Sequence, residues 1–153
     1  MVSDWTRCRL DEQGFMDVED KTVARWLKFS PLMCAIGFGA GTYLQSPLVL
    51  YLMGLMAVAG LTFHKTIFDW FYDAVIARVI DGPQLPDRPA PARFACFIAV
   101  IWSAFTASAF LVGYTTAGYV LGAGLTFAAG LLGTVNYCIA SVLWRKLYGW
   151  PDR

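Results

Sequence analysis

Three cysteines and one histidine are the residues of this chain whose types could do chemistry together. Cys34, Cys96 and Cys138 are widely separated, and none belongs to a Cys-x-x-Cys pair. Each stands one or two helical turns inside a charged or capping residue: Ser30 for Cys34, Arg93 for Cys96 and Arg145 for Cys138. Three apolar segments therefore carry a thiol at similar depth, and His64, the single histidine, closes a fourth segment at the same level. Thiolates and an imidazole suit zinc, copper(I) or sulfur transfer. Cys34, His64, Cys96 and Cys138 are accordingly the candidate metal or sulfur ligands, with His64 also a candidate pigment ligand. The competing reading is plainer. Cysteine is an ordinary small apolar residue in packed interiors, and a histidine at a segment end is usually solvated. No cofactor is required by any motif: there is no Walker A loop, no GxGxxG, no HExxH and no Ser-His-Asp set.

The elements that must position these residues follow from the charges. The chain has 153 residues, 58% hydrophobic and 15% charged, whereas a soluble domain carries about 25% charged residues. Asp, Glu, Lys, Arg and His are missing from Phe29 to Phe63 and again from Phe94 to Trp144. Each gap holds two passes of a membrane if its middle turns sharply, one pass needing about 20 apolar residues. The predicted fold is an all-α membrane protein. Four transmembrane helices, about 30–44, 47–64, 93–112 and 117–143, form two helical hairpins. Ser30-Pro31 and Ser46-Pro47 open the first two, since Ser caps a helix and Pro is tolerated in its first turn. A cytoplasmic amphipathic helix over 65–80 joins the hairpins, with Phe68, Phe71, Tyr72, Val75 and Val79 on one face and Lys65–Asp69 as an i, i+4 ion pair. A proline-rich loop follows over 81–91. Residues 1–29 form a tail whose second half reads as an interfacial helix, Trp26 and Phe29 dipping into headgroups. Residues 148–153 are a short polar end. No early basic-then-apolar signal is present, so the first span is expected to stay in the mature chain.

All 12 Lys and Arg residues fall in the N-terminal tail, the middle segment or the C-terminal end. Four spans put these three segments on one side, which the positive-inside rule makes cytoplasmic. The bare turns face outward. A net charge of +1 offers no field for nucleic acid.

Helices in lipid associate through small residues. The fourth span carries Gly118, Gly122, Thr126, Gly130 and Thr134 at intervals of four, and the first carries Gly37 and Gly41. These are the predicted packing or partner interface, for the bundle itself, for another membrane subunit or for a second copy. Asn136 is read as an interhelical hydrogen-bonding residue. The absence of carboxylates from the spans argues against a proton-coupled transporter.

The stretch Pro89-Ala-Pro-Ala-Arg-Phe-Ala95 and the end Asn136-Tyr-Cys-Ile-Ala-Ser141 resemble a bacterial membrane family, domain of unknown function 4395, over about Ala24 to Leu147. The resemblance implies an aromatic residue followed by Cys-x-x-Cys. Cys138 stands at its first cysteine, and Ser141 replaces the second. That departure weakens a local dithiol. The resemblance also implies the bacterial inner membrane as the location. The function expected from the sequence is a non-catalytic accessory or scaffolding subunit of a larger membrane complex, respiratory or photosynthetic hosts included. The alternatives are a thiol- or metal-dependent protein of sulfur or redox handling, and an oligomeric small-solute channel.

Overall fold

The structure, a computed structural model, describes residues 4–12, 14–15, 21–63 and 65–149. The described residues are all helical or irregular, with no strand among them. In chain order the helices are α1 (Asp4–Glu12), α2 (Lys21–Trp26), α3 (Phe29–Tyr43), α4 (Pro47–Phe63), α5 (Ile67–Phe71), a π turn (Tyr72–Ile76), α6 (Ala77–Val79), α7 (Ala90–Val112), α8 (Thr115–Val135) and α9 (Ile139–Tyr148).

The turn chemistry sets these boundaries. The Ser46 hydroxyl accepts the Val49 amide at 3.4 Å, so Ser46-Pro47 opens α4 as the sequence predicts. Pro91 stands in the first turn of α7, and Gly113 ends that helix at φ 95°, a left-handed conformation that glycine adopts without a Cβ clash. Ser30 departs from its expected role. The position before α3 is Lys28, which offers no side-chain cap. The Ser30 hydroxyl is instead committed to Thr66 and Arg88.

α3 packs against α8 and α4, and α7 packs against α4 and α8. The four helices thus close a ring around Phe38, Leu50, Met53, Ala107 and Leu125, to which every helix contributes. Outward positions are apolar too: Ile36, Leu55, Phe105, Val120 and Phe127 are each more than three-fifths exposed. α7 and α8 are long and apolar enough to cross a membrane. α4 and the helical run Ile67–Val79, bent by 73°, together pass the same test. A ring of helices with greasy outer faces needs an apolar solvent, and the chain is read as a membrane protein.

The small-residue stripe of α8, predicted as a packing or partner interface, is used only in part within the ring. A step of four residues advances about 40° around a 3.6-residue helix, so a row at strict intervals of four spirals off its face. A Cβ at Gly118 would meet the Phe110 ring at 2.6 Å, one at Gly122 would meet Thr42, and one at Gly39 would meet Thr126 Cγ2 at 3.3 Å. Gly130 faces open space, and Thr134 is exposed. The close approach at that end passes to Gly133, where a Cβ would reach Leu32 at 2.7 Å. Gly37 and Gly41 face Met53 and Leu50 of α4.

The fourth predicted span is also corrected. It does not run unbroken to Leu143. α8 ends at Val135, Asn136 takes φ 54°, and α9 starts afresh at Ile139 after an extended Cys138.

The expected Lys65–Asp69 ion pair is absent from the fold. Lys65 bonds Asp73 at 2.6 Å, and Asp69 turns to Arg88. The expected apolar face of 65–80 is split. Tyr72 is fully buried while Phe71, Val75 and Val79 are exposed. Trp26 and Phe29 do not splay outward either: Trp26 stacks on Tyr72 with centroids 5.0 Å apart, and Phe29 meets Phe68 edge-on at 6.3 Å.

Candidate functional site: a thiol-lined cavity

α3 and α7 begin, and α4 ends, at one end of the ring, where the polar side chains gather. Thr66 caps α5 with a reciprocal box: its hydroxyl accepts the Asp69 amide at 3.3 Å, and the Asp69 carboxylate accepts the Thr66 amide at 2.9 Å. Such a cap contributes about 1 kcal/mol. The same carboxylate holds Arg88, Nε to Oδ2 at 2.9 Å and Nη2 to Oδ1 at 3.4 Å. Arg88 Nη2 also donates to Ser30 Oγ at 3.0 Å, and the Ser30 and Thr66 hydroxyls are 2.9 Å apart. The side chains of Arg88 and Asp69 are only 12% and 6% exposed. Burial by itself weakens the Arg88 charge. The adjoining Asp69 carboxylate outweighs it, and the guanidinium is held above its ordinary pKa. The pair is therefore a charged, closed unit inside the protein.

The loop that delivers Arg88 is fixed along its length. Tyr72 donates to the Pro83 carbonyl at 3.4 Å, and the Leu85 amide donates to Asp73 at 2.9 Å. Arg93 then clamps the Leu61 carbonyl from Nε and Nη2 at 3.0 and 2.8 Å. That carbonyl lies in the last turn of α4, where backbone acceptors lack helical partners.

Above this network lies a cavity of about 340 Å³, inside the ordinary range for small-molecule sites. Its walls are mainly apolar. Its polar lining includes Ser30, Thr66, Arg88 and Asn136, and the thiols of Cys34, Cys96 and Cys138 all line it. Ser30 and Cys34 are four residues apart on α3, hence on one face. A Cβ at Gly60 would meet Thr66 Cγ2 at 2.8 Å and Cys96 Sγ at 3.2 Å, so Cys96 and the network share one glycine. Cys96 stands in the second turn of α7, and α9, which Cys138 precedes as N-cap, packs against α7, with the Phe94 and Trp144 ring centroids 5.3 Å apart. All four cysteines of the chain are free, and Cys8 is exposed on α1.

The three thiols that the sequence places at one depth thus face one space. Among the described residues no three His, Cys, Asp or Glu side chains are grouped to hold an ion. His64 lies outside the described residues.

The chain matches the family model described as a domain of unknown function, DUF4395, over residues 24–148. The protein belongs to the DUF4395 family. No curated protein and no solved structure matches it. In this DUF4395 protein the matched region holds every polar residue of the cavity, whereas Leu10 and Phe15, which close part of its wall, precede that region. The position where the resemblance implies a second cysteine is Ser141, buried at 1% exposure.

The sequence reading gave Asp69 only as a partner for Lys65 and did not single out Arg88 or Thr66. One signal was there to use: Thr66-x-x-Asp69 is a capping-box pattern, which orients Asp69 inward before any partner is known. Nothing local joins Asp69 to Arg88, 19 residues away.

Asn136 provides a test of the helix break. It is 3% exposed and left-handed, a conformation costing a residue with a Cβ about 1–2 kcal/mol, which Asn and Gly tolerate best. Asn136→Gly is expected to keep the break and cost little in thermal unfolding. Asn136→Leu is expected to lose about 1–2 kcal/mol or more. Equal stability of the two variants would show that the break is not fixed by this backbone conformation.

Proposed function

We propose that this DUF4395 protein is a four-span protein of the bacterial cytoplasmic membrane that handles a small apolar molecule at its thiol-lined cavity, in sulfur or redox chemistry. The observation that carries the reading is the convergence of Cys34, Cys96 and Cys138, from three separate parts of the chain, on one cavity beside the Arg88–Asp69 pair. Thiols used only for packing have no reason to share an open space.

In this reading α3, α4, α7 and α8 are the spans. Lys28, Lys65, Arg88 and Arg93 lie at the cavity end, and the opposite turns at 44–46 and 113–114 carry no charge, which supports a cavity end facing the cytoplasm by the positive-inside rule. α3, at 15 residues, is about 22 Å long. It is shorter than the hydrocarbon core of about 30 Å, and local thinning of the bilayer accommodates it. A second reading, a subunit of a larger membrane assembly, draws on the outward-facing Gly130 and Thr134. A side chain at Gly130 would meet nothing within 4 Å, although Lys28 reaches the Thr134 carbonyl at 3.1 Å. Co-purification from native membranes tests it, and a lone monomer after gentle extraction removes it.

The cavity reading is tested by thiol labelling of the reduced protein in lipid nanodiscs. N-ethylmaleimide, neutral and lipid-soluble, is expected to modify Cys34, Cys96 and Cys138 in the folded protein, while a charged maleimide modifies Cys8 alone. Intact mass and peptide mapping count the adducts. If the three cavity thiols stay unmodified until the protein is denatured, they are sealed packing residues and the proposal fails.

A further inference from the structure

We infer that the cavity is a site for a lipid-soluble quinone, which Cys96 and Cys138 reduce as they join in a disulfide. This rests on the reading that the cavity thiols are reactive, and it names their partner.

The ligand class follows from the polar end of the cavity. Arg88 is a cation already balanced by Asp69, and the carboxylate is further held by the Thr66 amide. A second anion, whether a fatty acid or a phosphate head, would face Asp69 across the same guanidinium and would bring its own desolvation cost. A neutral ligand avoids both. The guanidinium has five N–H donors, and the bonds to Asp69 and Ser30 use Nε and Nη2. A ligand carbonyl at this end needs one such donor. The remaining walls, from Phe38 to Leu125 and Leu132, ask for a ring and a hydrocarbon tail. A neutral, apolar molecule with carbonyl acceptors is what these surfaces recognise.

The thiols select among such molecules. Cys96 is fixed on α7 beside Gly60, and α9 packs on that same helix, whereas Cys138 sits in the three-residue break between α8 and α9. A non-helical segment can move a side chain without unwinding a helix, so Cys138 is the thiol able to reach Cys96. Closing the bond requires an S–S distance of about 2.05 Å. The two thiols then give up two hydrogens and two electrons and form one S–S bond. The quinone gains the same two hydrogens and electrons, and both of its C=O groups become C–OH. Atoms and electrons balance with no further reactant.

The test uses the full-length reduced protein in liposomes with a decyl-tailed, fully substituted benzoquinone, which has no open ring carbon for thiol addition. Quinone reduction is followed by absorbance, and remaining thiols are counted by mass after denaturation. The expected result is two thiols lost per quinone reduced, with the bond mapped to Cys96–Cys138. Cys8→Ala should leave the rate unchanged, and Cys96→Ala or Cys138→Ala should abolish it. Arg88→Lys, which keeps the charge and changes the donor geometry, should raise the half-saturating quinone concentration about tenfold, the scale of one hydrogen bond to a charged donor. Absence of reduction overturns the inference, as does a bond mapped to a different pair. So does uptake of sulfur as a persulfide on Cys96 or Cys138 when polysulfide, not quinone, is supplied. Maleimide labelling separates the two failures. Thiols that label while quinone does nothing leave the cavity reading standing and remove only the quinone.

Discussion

Arg88→Ala is expected to destabilise the protein by about 3–5 kcal/mol, because it strands a buried carboxylate. Asp69 is 6% exposed and bonds the guanidinium through both oxygens. Without Arg88 its charge keeps only the Thr66 amide as a partner among the contacts described, and Ser30 keeps only its bond with the Thr66 hydroxyl. The variant also frees the loop that closes the floor of the cavity. Replacing both charges, as in Asp69→Asn with Arg88→Met, is expected to recover most of the loss, since a buried pair exchanged for uncharged groups of similar volume is often neutral. Asparagine retains an oxygen for the Thr66 amide, which keeps the α5 cap. Urea unfolding in a mild detergent measures all three proteins. An Arg88→Ala variant within about 1 kcal/mol of the parent, the size of an exposed pair, would mean that the ion pair is open to solvent and that the polar end of the cavity is drawn wrongly.

The second large effect is at Gly122. Its missing side chain lets α8 lie directly on α3: a Cβ there would collide with the Thr42 hydroxyl and stand 2.8 Å from Thr42 Cβ. Both residues are buried, so there is no room to yield. Gly122→Leu is expected to cost more than the 1–3 kcal/mol typical of overpacking, because whole helices must separate, and in practice to abolish the monodisperse folded peak. Gly130→Leu, two turns along the same row, should be tolerated, since Gly130 meets nothing within 4 Å. Size-exclusion profiles and thermal unfolding distinguish them. If Gly130→Leu proves the more damaging of the two, the outward patch of α8 is covered by a partner and the subunit reading gains over the cavity reading.

The contrast between these glycines shows where sequence reasoning reached its limit. An interval of four residues is nearly a helical repeat, and over two steps the row does stay on the contact face, as Gly118, Gly122 and Thr126 show. Over four steps the accumulated rotation carries Thr134 to the outside, and the regularity of the spelling hides it. The hairpin boundaries were legible because Ser46, Pro47, Pro91 and Gly113 act through their own backbone geometry. The break at Asn136 carried a fainter mark. A single asparagine in an apolar run also fits an unbroken helix with one interhelical bond. Charge pairing was the least legible feature. Local spacing favoured Lys65–Asp69, yet the loop path brought Arg88 to Asp69 and left Lys65 to Asp73. The depth of the three cysteines could be counted from the helix ends, but their facing one cavity depends on how four helices are rotated in the ring.

The Arg88–Asp69 bond also bears on the order of biogenesis. Asp69 follows the first hairpin, and its cation arrives 19 residues later, just ahead of α7. A nascent chain holding only α3 and α4 has an acidic group at its base with no counter-ion and no third or fourth wall to bury it. In that half the Asp69 carboxylate stays hydrated. Only when the second hairpin enters can water leave the floor and the chamber exist.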